Sequence, residues 1–360
     1  MSASQDRFHQ AETPIHGYFY WMVELGVLRF FIEYHIFQAI PDSGISISDL
    51  ATKTGIDARL LGRHANFLVA VEVLKSPSPG QIEHTSLSKK FQEPLATLLY
   101  PHVFDSFMAT AVKWPEYFKQ NGGSEPQRSN RAPFGFAVGH PDKSFYEVLE
   151  LIPERAKSFN SAMALSLDDM PITGIYDFQW VGDYRSQTDV SSRPCIVDVG
   201  GGKGQALKAI LEENPTIPAT LCVLEDQAEV IQQASTEASP VLEPVRRISH
   251  SFFDEQPVKG ALVYYIRRVL NDWPDDECVQ VLSRIRTACA PDSRVLISEN
   301  LLPCEPLLGS AAIDLWMMNF GGKRRNENMF SELASRSGFR VSSVAKDKAT
   351  NMGIVEMLPV

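Results

Sequence analysis

The ten residues Cys195-Ile196-Val197-Asp198-Val199-Gly200-Gly201-Gly202-Lys203-Gly204, followed by QALKAILEENP, restrict the fold of this chain more than any other stretch. A short run of strand-forming residues feeds a glycine loop, and the loop opens a helix. There the backbone can approach a ligand closely, and the free N–H groups of the helix start face it. A dinucleotide fingerprint, G-x-G-x-x-G, needs glycine at position 205. That position is Gln205, and the glycines fall instead at 200, 202 and 204. Downstream the apolar runs ATLCVL, ALVYYI and RVLISE alternate with helical patterns, the βαβα rhythm of a parallel sheet covered by helices.

A chain of 360 residues exceeds one ordinary core, so two domains are expected. Residues 17–99 read as mostly helical. Ser46 opens one helix and Gly55 closes it; Asp57 caps a second, DARLLGRHANFLVAVEVL; and SPSPGQIEHT has room for a hairpin. Helix, turn, helix and wing make a winged-helix layout. Its second helix carries only Arg59, Arg63 and His64 against Asp57 and Glu72, and the whole chain has a formal charge of −10. Nucleic acid is therefore excluded as a partner, and a structural or dimerising role is expected.

The stretch from Gly17 to Phe37 is long and apolar enough to imitate a membrane span, but Glu24, Arg29 and Glu33 lie inside it. Each would cost about 2.5–3.5 kcal/mol at bilayer depth. A buried or dimer-interface helix is the better reading, with no membrane partner. Residues 1–16 are polar, without the apolar core of a signal peptide, and the five cysteines are scattered without metal-site spacing. A cytoplasmic protein with free thiols and no metal is expected. Residues 120–140 read as a loop, and Lys143 to Asp168 as one helix. The expected division is 1–115, a winged-helix-like domain; 116–170, linker and pocket helices; and 171–360, the cofactor domain.

An acid ahead of a G-x-G-x-G loop, here Asp198, is the pattern used for the amino-acid end of S-adenosylmethionine (SAM). The strand ATLCVLED ends in Glu225 and Asp226, where a carboxylate can accept hydrogen bonds from ribose hydroxyls. These segments, together with SHSFFDEQPVKGALVYYIRRVLNDWPDDECVQVLSRIR, APDSRVLISENLLP and GGKRRNENMF, resemble the plant and fungal small-molecule O-methyltransferases over nearly the whole chain. The resemblance implies an α/β fold: a Rossmann-like SAM-dependent methyltransferase domain preceded by a mostly helical winged-helix dimerisation domain, assembled as a homodimer. It implies that Gly200 and Gly202 hold the methionine end of SAM and Asp226 the ribose. Phe252 and Phe253 would flank the adenine, Arg267 would contact the cofactor, and Trp273 would pack near the purine. Where the family often has an acid beside the adenine, this chain has Ser251.

The catalytic positions depart further. The family's His-Asp-Trp is Asn271-Asp272-Trp273 here, and an amide cannot remove a hydroxyl proton, a service worth about 10²–10⁴-fold. A second family carboxylate is kept as Glu299, and a third is replaced by Arg324. These changes favour an enzyme similar to the family's non-methylating members, which bind SAM yet catalyse dehydration or pericyclic ring closure. Asn271 would offer an amide N–H, Arg267 and Arg324 guanidinium groups, and Asp272 would orient one of them. The alternatives are methyl transfer to an acceptor acidic enough to ionise unaided, and a non-catalytic SAM-binding homologue. His102, Met163, Ser166, Trp316, Met317 and Phe320 are further candidates for the substrate pocket. The apolar cluster of Trp316, Met317 and Phe320 suits a small hydrophobic, polyketide-type molecule.

Overall fold

The computed structural model describes residues 13–153, 155–157, 159, 170–187, 192–236 and 239–360. Met163 and Ser166 lie outside the described residues. The chain divides into two compact units, Met1–Ala111 with Leu149–Asp168, and Val112–Val148 with Asp169–Val360.

In the first unit the long apolar stretch becomes two helices. Pro14–Glu33 starts at a Thr13 cap, and Ile36–Ala39 follows a break where His35 takes a left-handed φ of 51°. The expected single helix to Phe37 is therefore interrupted. Its charges are answered inside the protein: Arg29 forks onto both oxygens of Asp105 at 2.9 Å and reaches Glu33 at 2.6 Å. Among the described residues no helix is long and apolar enough to cross a membrane.

The winged layout is present. Ser46 caps Ile47–Thr54 through the Asp49 N–H, and Asp57 caps Ala58–Ala70 through the N–H groups of Arg59 and Leu60. Strands β1 (Ile45–Ser46), β2 (Leu74–Lys75) and β3 (Gln81–His84) pair antiparallel in the order β1-β3-β2. Phe31, Phe37, Leu50, Leu61, Leu68 and Ile82 form the core beneath them.

The second unit is built on seven strands: β4 (Ile196–Val199), β5 (Cys222–Asp226), β6 (Arg246–Ser249), β7 (Val263–Arg267), β8 (Arg294–Asn300), β9 (Phe339–Lys346) and β10 (Met352–Pro359). Their order is β6-β5-β4-β7-β8-β10-β9, parallel from β6 to β8, with β10 antiparallel to both its neighbours. Apolar clusters cover both faces, which is why β4 and β7 read as unbroken apolar runs. The chain leaves β4 toward β5 and β6, then returns to β7 on the other side. Ligands of such sheets bind at that switch point, beyond the carboxyl ends of the strands.

Two expectations are amended. The helix expected from Lys143 to Asp168 begins at Phe145 and breaks at Ile152, where Pro153 disfavours helical backbone at the residue before it; the described residues 153, 155–157 and 159 are helical again, and 160–168 lie outside the described residues. The expected loop at 120–140 holds a turn at Ser129–Arg131 and a short helix, Pro133–Ala137, because Phe134 buries its ring.

Candidate cofactor and acceptor site

β4 runs into the glycine loop at the switch point. Gly200 and Gly202 have φ of 67° and 60°, a region that L side chains rarely adopt. A Cβ at Gly200 would also press on Val269 Cγ2 at 2.9 Å. The Gly202 N–H donates to Asp226 Oδ2 at 2.8 Å, and the Gln227 N–H to Oδ1 at 2.7 Å, so Asp226 is fixed at the rim of the loop. The neighbouring Glu225 points the other way. It is buried, accepts from Gln256 Nε2 at 2.8 Å, and is pushed up to about 7 by burial. Strand alternation has thus separated a structural acid from the one able to meet a ligand.

Asp198 lies fully buried under the loop, and neither carboxylate oxygen has a hydrogen-bond partner of full geometry among the described residues. Burial and then the charge of Asp226 push it up to about 7, offset a little by Arg267 and the Leu207 N–H. A carboxylate left in this way suits a group that brings positive charge, as the methionine end of SAM does. Beside the loop, Phe252, Phe253 and Trp273 form an edge-packed trio: Trp273 stands at 85° to Phe253 with ring centroids 4.9 Å apart, and Phe252 lies 4.9 Å from Phe253. Arg267 is half-buried and donates from Nη2 to the Met170 carbonyl at 3.2 Å. These residues, with Gly200, Gly202 and Asp226, fit the cofactor and would hold it.

Beyond β7, the segment Arg268–Trp273 gathers the candidate catalytic groups. Asn271 Nδ2 donates to Asp272 Oδ1 at 2.7 Å and, at 3.5 Å, to the Arg268 carbonyl. Its backbone N–H donates to Glu299 Oε1 at 3.2 Å. The other oxygen of Asp272 accepts from the Tyr146 hydroxyl at 3.0 Å. Two expected roles are corrected here. Both amide hydrogens of Asn271 are directed to protein acceptors, and Asp272 is engaged by Tyr146 and Asn271 rather than orienting an arginine by hydrogen bond. Burial pushes Asp272 up to about 6 and Glu299 to about 7, the latter raised further by Asp272. Glu299 Oε2 has no hydrogen-bond partner among the described residues. Asn271, Glu299, Arg324 and Asn300 line one narrow recess.

Two residues that the sequence did not single out hold this segment. The buried Arg325 donates to the carbonyls of Leu270 and Trp273, and to Asp275, each at 2.8 Å. Gly322 packs against the Asn271 carbonyl, where any Cβ would collide with that oxygen. The Gly-Gly-Lys-Arg-Arg run is thus a brace for Asn271. Tyr146 was missed too, having no sequence signal beyond its place in an aromatic pair. Phe320 packs on Phe145 at 4.3 Å, on Trp316 at 5.0 Å and on Phe134 at 5.6 Å, an aromatic cluster in the same unit; Met317, half-buried, lies with Trp316 on the helix Leu308–Met318. On the solvent side of Phe253 and Trp273 opens a polar cleft of about 560 Å³, which includes Arg128, Glu147 and Glu277. His102 belongs to the first unit. It is buried 5.4 Å from the Phe159 ring, and burial lowers it to about 4, so it is neutral there.

A family model described as the O-methyltransferase domain matches residues 178–340. Methyltransferase fsa4 of Fusarium sp. (strain FN080326) is 62% identical over 360 residues, spanning 100% of this chain and 99% of that protein. The chain belongs to the O-methyltransferase family. Solved structures agree on the fold of this O-methyltransferase-type chain. OxaC in complex with SAH and oxaline superposes with a TM-score of 0.83 at 24% identity, covering 98% of this chain and 89% of that one. LepI in complex with SAM gives 0.77 at 20% identity, covering 99% and 92%. The α/β, Rossmann-like fold with its helical N-terminal domain stands, and SAM is the cofactor of this O-methyltransferase-type enzyme.

Proposed function

We propose that this enzyme transfers the methyl group of SAM to a small, hydrophobic, polyketide-type molecule of fungal secondary metabolism whose acceptor atom needs no deprotonation by the protein. The ionised oxygen of an enol or a carboxylic acid is the first such acceptor. The observation that carries this reading is the state of Asn271. With its hydrogens directed to Asp272 and Arg268, it presents only a carbonyl-type oxygen, neither a base nor a spare donor. SAM supplies an electrophilic methyl group when bound. The protein's own contribution is to position an acceptor that arrives already nucleophilic. Phenols, with pKa near 10, would not qualify. The intact Asp198, glycine loop and Asp226 support retained use of the cofactor, and fsa4 bears the name methyltransferase.

A second reading, a SAM-dependent cyclase or pericyclase without methyl transfer, is favoured by one observation. Arg324 and Arg268 set cationic groups near Glu299, where they would polarise a carbonyl. Removal of the Asn271 donor weakens it. Turnover with acidic natural-product acceptors separates the two readings. One S-adenosylhomocysteine per product, with the mass of the product raised by one methylene, supports methyl transfer. Product formed with SAM present but unconsumed overturns it in favour of the cyclase.

A further inference from the structure

We infer that Tyr265 and Ser298, two residues to which the sequence gave no role, belong to the cofactor site. Their hydroxyls, with Nε of Arg267, form the donor side of a buried receptor for the α-amino-acid end of SAM and select its carboxylate. Asp198, on the neighbouring strand, takes its ammonium group. Both readings of the reaction need SAM bound, so this role stands or falls apart from either.

The register of the sheet brings the four side chains together. Asp198 of β4 pairs with Tyr265 of β7, and Arg267, two residues further along β7, pairs with Ser298 of β8. Partners in a parallel pair share a face, as do residues two apart on one strand, so all four point to the same side. The packing agrees: Tyr265 joins Val263, Leu296 and Ile354 in the apolar cluster of that face, while Tyr264 and Ile297 join the opposite one. Neighbouring strands lie about 4.8 Å apart, so the four occupy two adjacent rows at the carboxyl ends of β4, β7 and β8, the rows that lead up to the turn at Gly200. Asn300, next on this face of β8, donates from Nδ2 to the Met170 thioether at 3.4 Å, and Arg267 donates from Nη2 to the Met170 carbonyl, so Met170 is tied across the upper row.

These rows are rich in polar atoms that nothing answers. Asp198, Tyr265 and Ser298 are wholly buried. Both oxygens of Asp198, the hydroxyl oxygens of Tyr265 and Ser298, and Nε of Arg267 have no hydrogen-bond partner of full geometry among the described residues. The two hydroxyls approach one another without completing a bond. Arg267 and Asp198 carry opposite charges on adjacent strands, yet Arg267 donates to Met170 rather than to the carboxylate. Burial works against both charges, raising Asp198 to about 7 and lowering Arg267. Buried groups left unpaired destabilise a fold, and native proteins hold few of them. A zwitterion resolves the arrangement. Its carboxylate accepts from Arg267 and the two hydroxyls, and its ammonium group donates to Asp198. The adenosine end of SAM has neither group.

Calorimetry at pH 7.5 with three probes tests this. They are SAM, decarboxylated SAM, which keeps the ammonium group without the carboxylate, and 5′-methylthioadenosine, which lacks both. The wild type should bind SAM at least about tenfold more tightly than the decarboxylated form. Tyr265→Phe and Ser298→Ala should each lower SAM affinity about tenfold and leave the other two probes within about twofold. Asp198→Asn should weaken SAM and decarboxylated SAM alike and spare 5′-methylthioadenosine. Ligand-free Tyr265→Phe and Ser298→Ala should melt no lower than the wild type, since a buried hydroxyl without a partner adds nothing to the fold. A merely structural role gives the reverse, lower melting with all three probes weakened together, and that result overturns the proposal. So does an unchanged SAM affinity in both variants, or a wild type with no preference for the carboxylate. If Tyr265→Phe does not fold, Ser298→Ala decides by the same outcomes. Decarboxylated SAM that binds Asp198→Asn as tightly as the wild type overturns the placing of the ammonium group.

Discussion

Asn271 donates an amide hydrogen to Asp272 at 2.7 Å, so the residue in the family's base position is committed to its neighbour. Asp272 in turn is held by Tyr146 at 3.0 Å. The result is a fixed hydrogen-bonded arrangement in place of a proton-transfer pair. It costs the enzyme a base and leaves the choice of acceptor to the acceptor's own acidity.

The buried carboxylates set the pH dependence of stability. Asp198, Glu225 and Glu299 are raised to about 7 and Asp272 to about 6, each by burial first, from ordinary values of 3.8 or 4.5. The folded state therefore binds more protons than the unfolded chain between pH 4 and 7, and stability falls as pH rises through that window. Asp292, held down to about 2 by Arg193, acts in the opposite sense only at more acidic pH. Melting of the SAM-free protein should drop by several degrees from pH 5 to 7.5, and Asp198→Asn should flatten part of that slope. Because a cationic ligand selects the ionised Asp198, SAM affinity should rise with pH through about 7 in the wild type and lose that rise in Asp198→Asn. A pH-independent affinity in the wild type would contradict this account.

Arg325 should matter to stability more than its place in a run of basic residues suggests. Its three donations fix Leu270, Trp273 and Asp275 on either side of Asn271. Arg325→Met would leave two carbonyls without this donor, though Asp275 keeps Lys323 at 2.8 Å. Breaking a buried charge pair costs about 3–5 kcal/mol, which for a chain of this size lowers the melting temperature by on the order of 10 °C. Calorimetric melting of Arg325→Met beside Arg336→Met, whose partner Asp276 is exposed, measures it. Equal and small losses in both would show that Arg325 is not the brace.

The strand-loop-helix at Asp198 to Gly204 was legible because its function demands a backbone that few residues allow. The winged layout was legible because caps and breaks are local: Ser46, Gly55 and Asp57 each act within a turn. What the chain hid is non-local or conformational. That Arg268 takes a left-handed φ depends on Ser298, thirty residues away, and that Asn271 spends its donors depends on the orientation of Asp272. Glu225 and Asp226 read alike in sequence; only the strand's alternation, seen against Gln256 and Gly202, tells them apart. The missed break at Ile152 was a different kind of error, since Pro153 was in view and its effect on the residue before it is a local rule.

The first unit carries a prediction about assembly. The helix Pro14–Glu33 buries Val27, Leu28, Phe31 and Ile32 in its second half, while Ile15, Tyr18, Phe19 and Met22 stand 53–78% exposed in its first. A contiguous apolar surface of this kind marks an interface, and a two-fold pairing of like helices covers it most simply. Light scattering should give twice the monomer mass at micromolar concentration. Phe19→Glu with Met22→Glu should give the monomer mass without loss of SAM binding. A wild type that stays monomeric throughout would refute the pairing.

Restoring histidine at position 271 should not by itself restore a general base. An imidazole that takes a proton becomes a cation, and here it would do so near Arg268 and Arg324, two like charges that disfavour it. Asp272 beside it favours the cation, but that carboxyl is itself pushed up to about 6 and already receives Tyr146. Glu299, the remaining family carboxylate, is near 7 and accepts the backbone N–H of residue 271. Asn271→His should therefore leave methylation of a phenolic acceptor within about tenfold of the wild-type background. Asn271→His with Arg324→Glu removes one opposing cation and returns a carboxylate to the third position. It should raise that rate by roughly 10²-fold or more, the lower end of what general-base catalysis contributes. The readout is S-adenosylhomocysteine released with a phenol, beside an acidic enol that needs no base and should respond little to either change. A full hundredfold gain from Asn271→His alone would mean that the two arginines do not oppose a proton at this position, and the electrostatic account of the site would have to be abandoned.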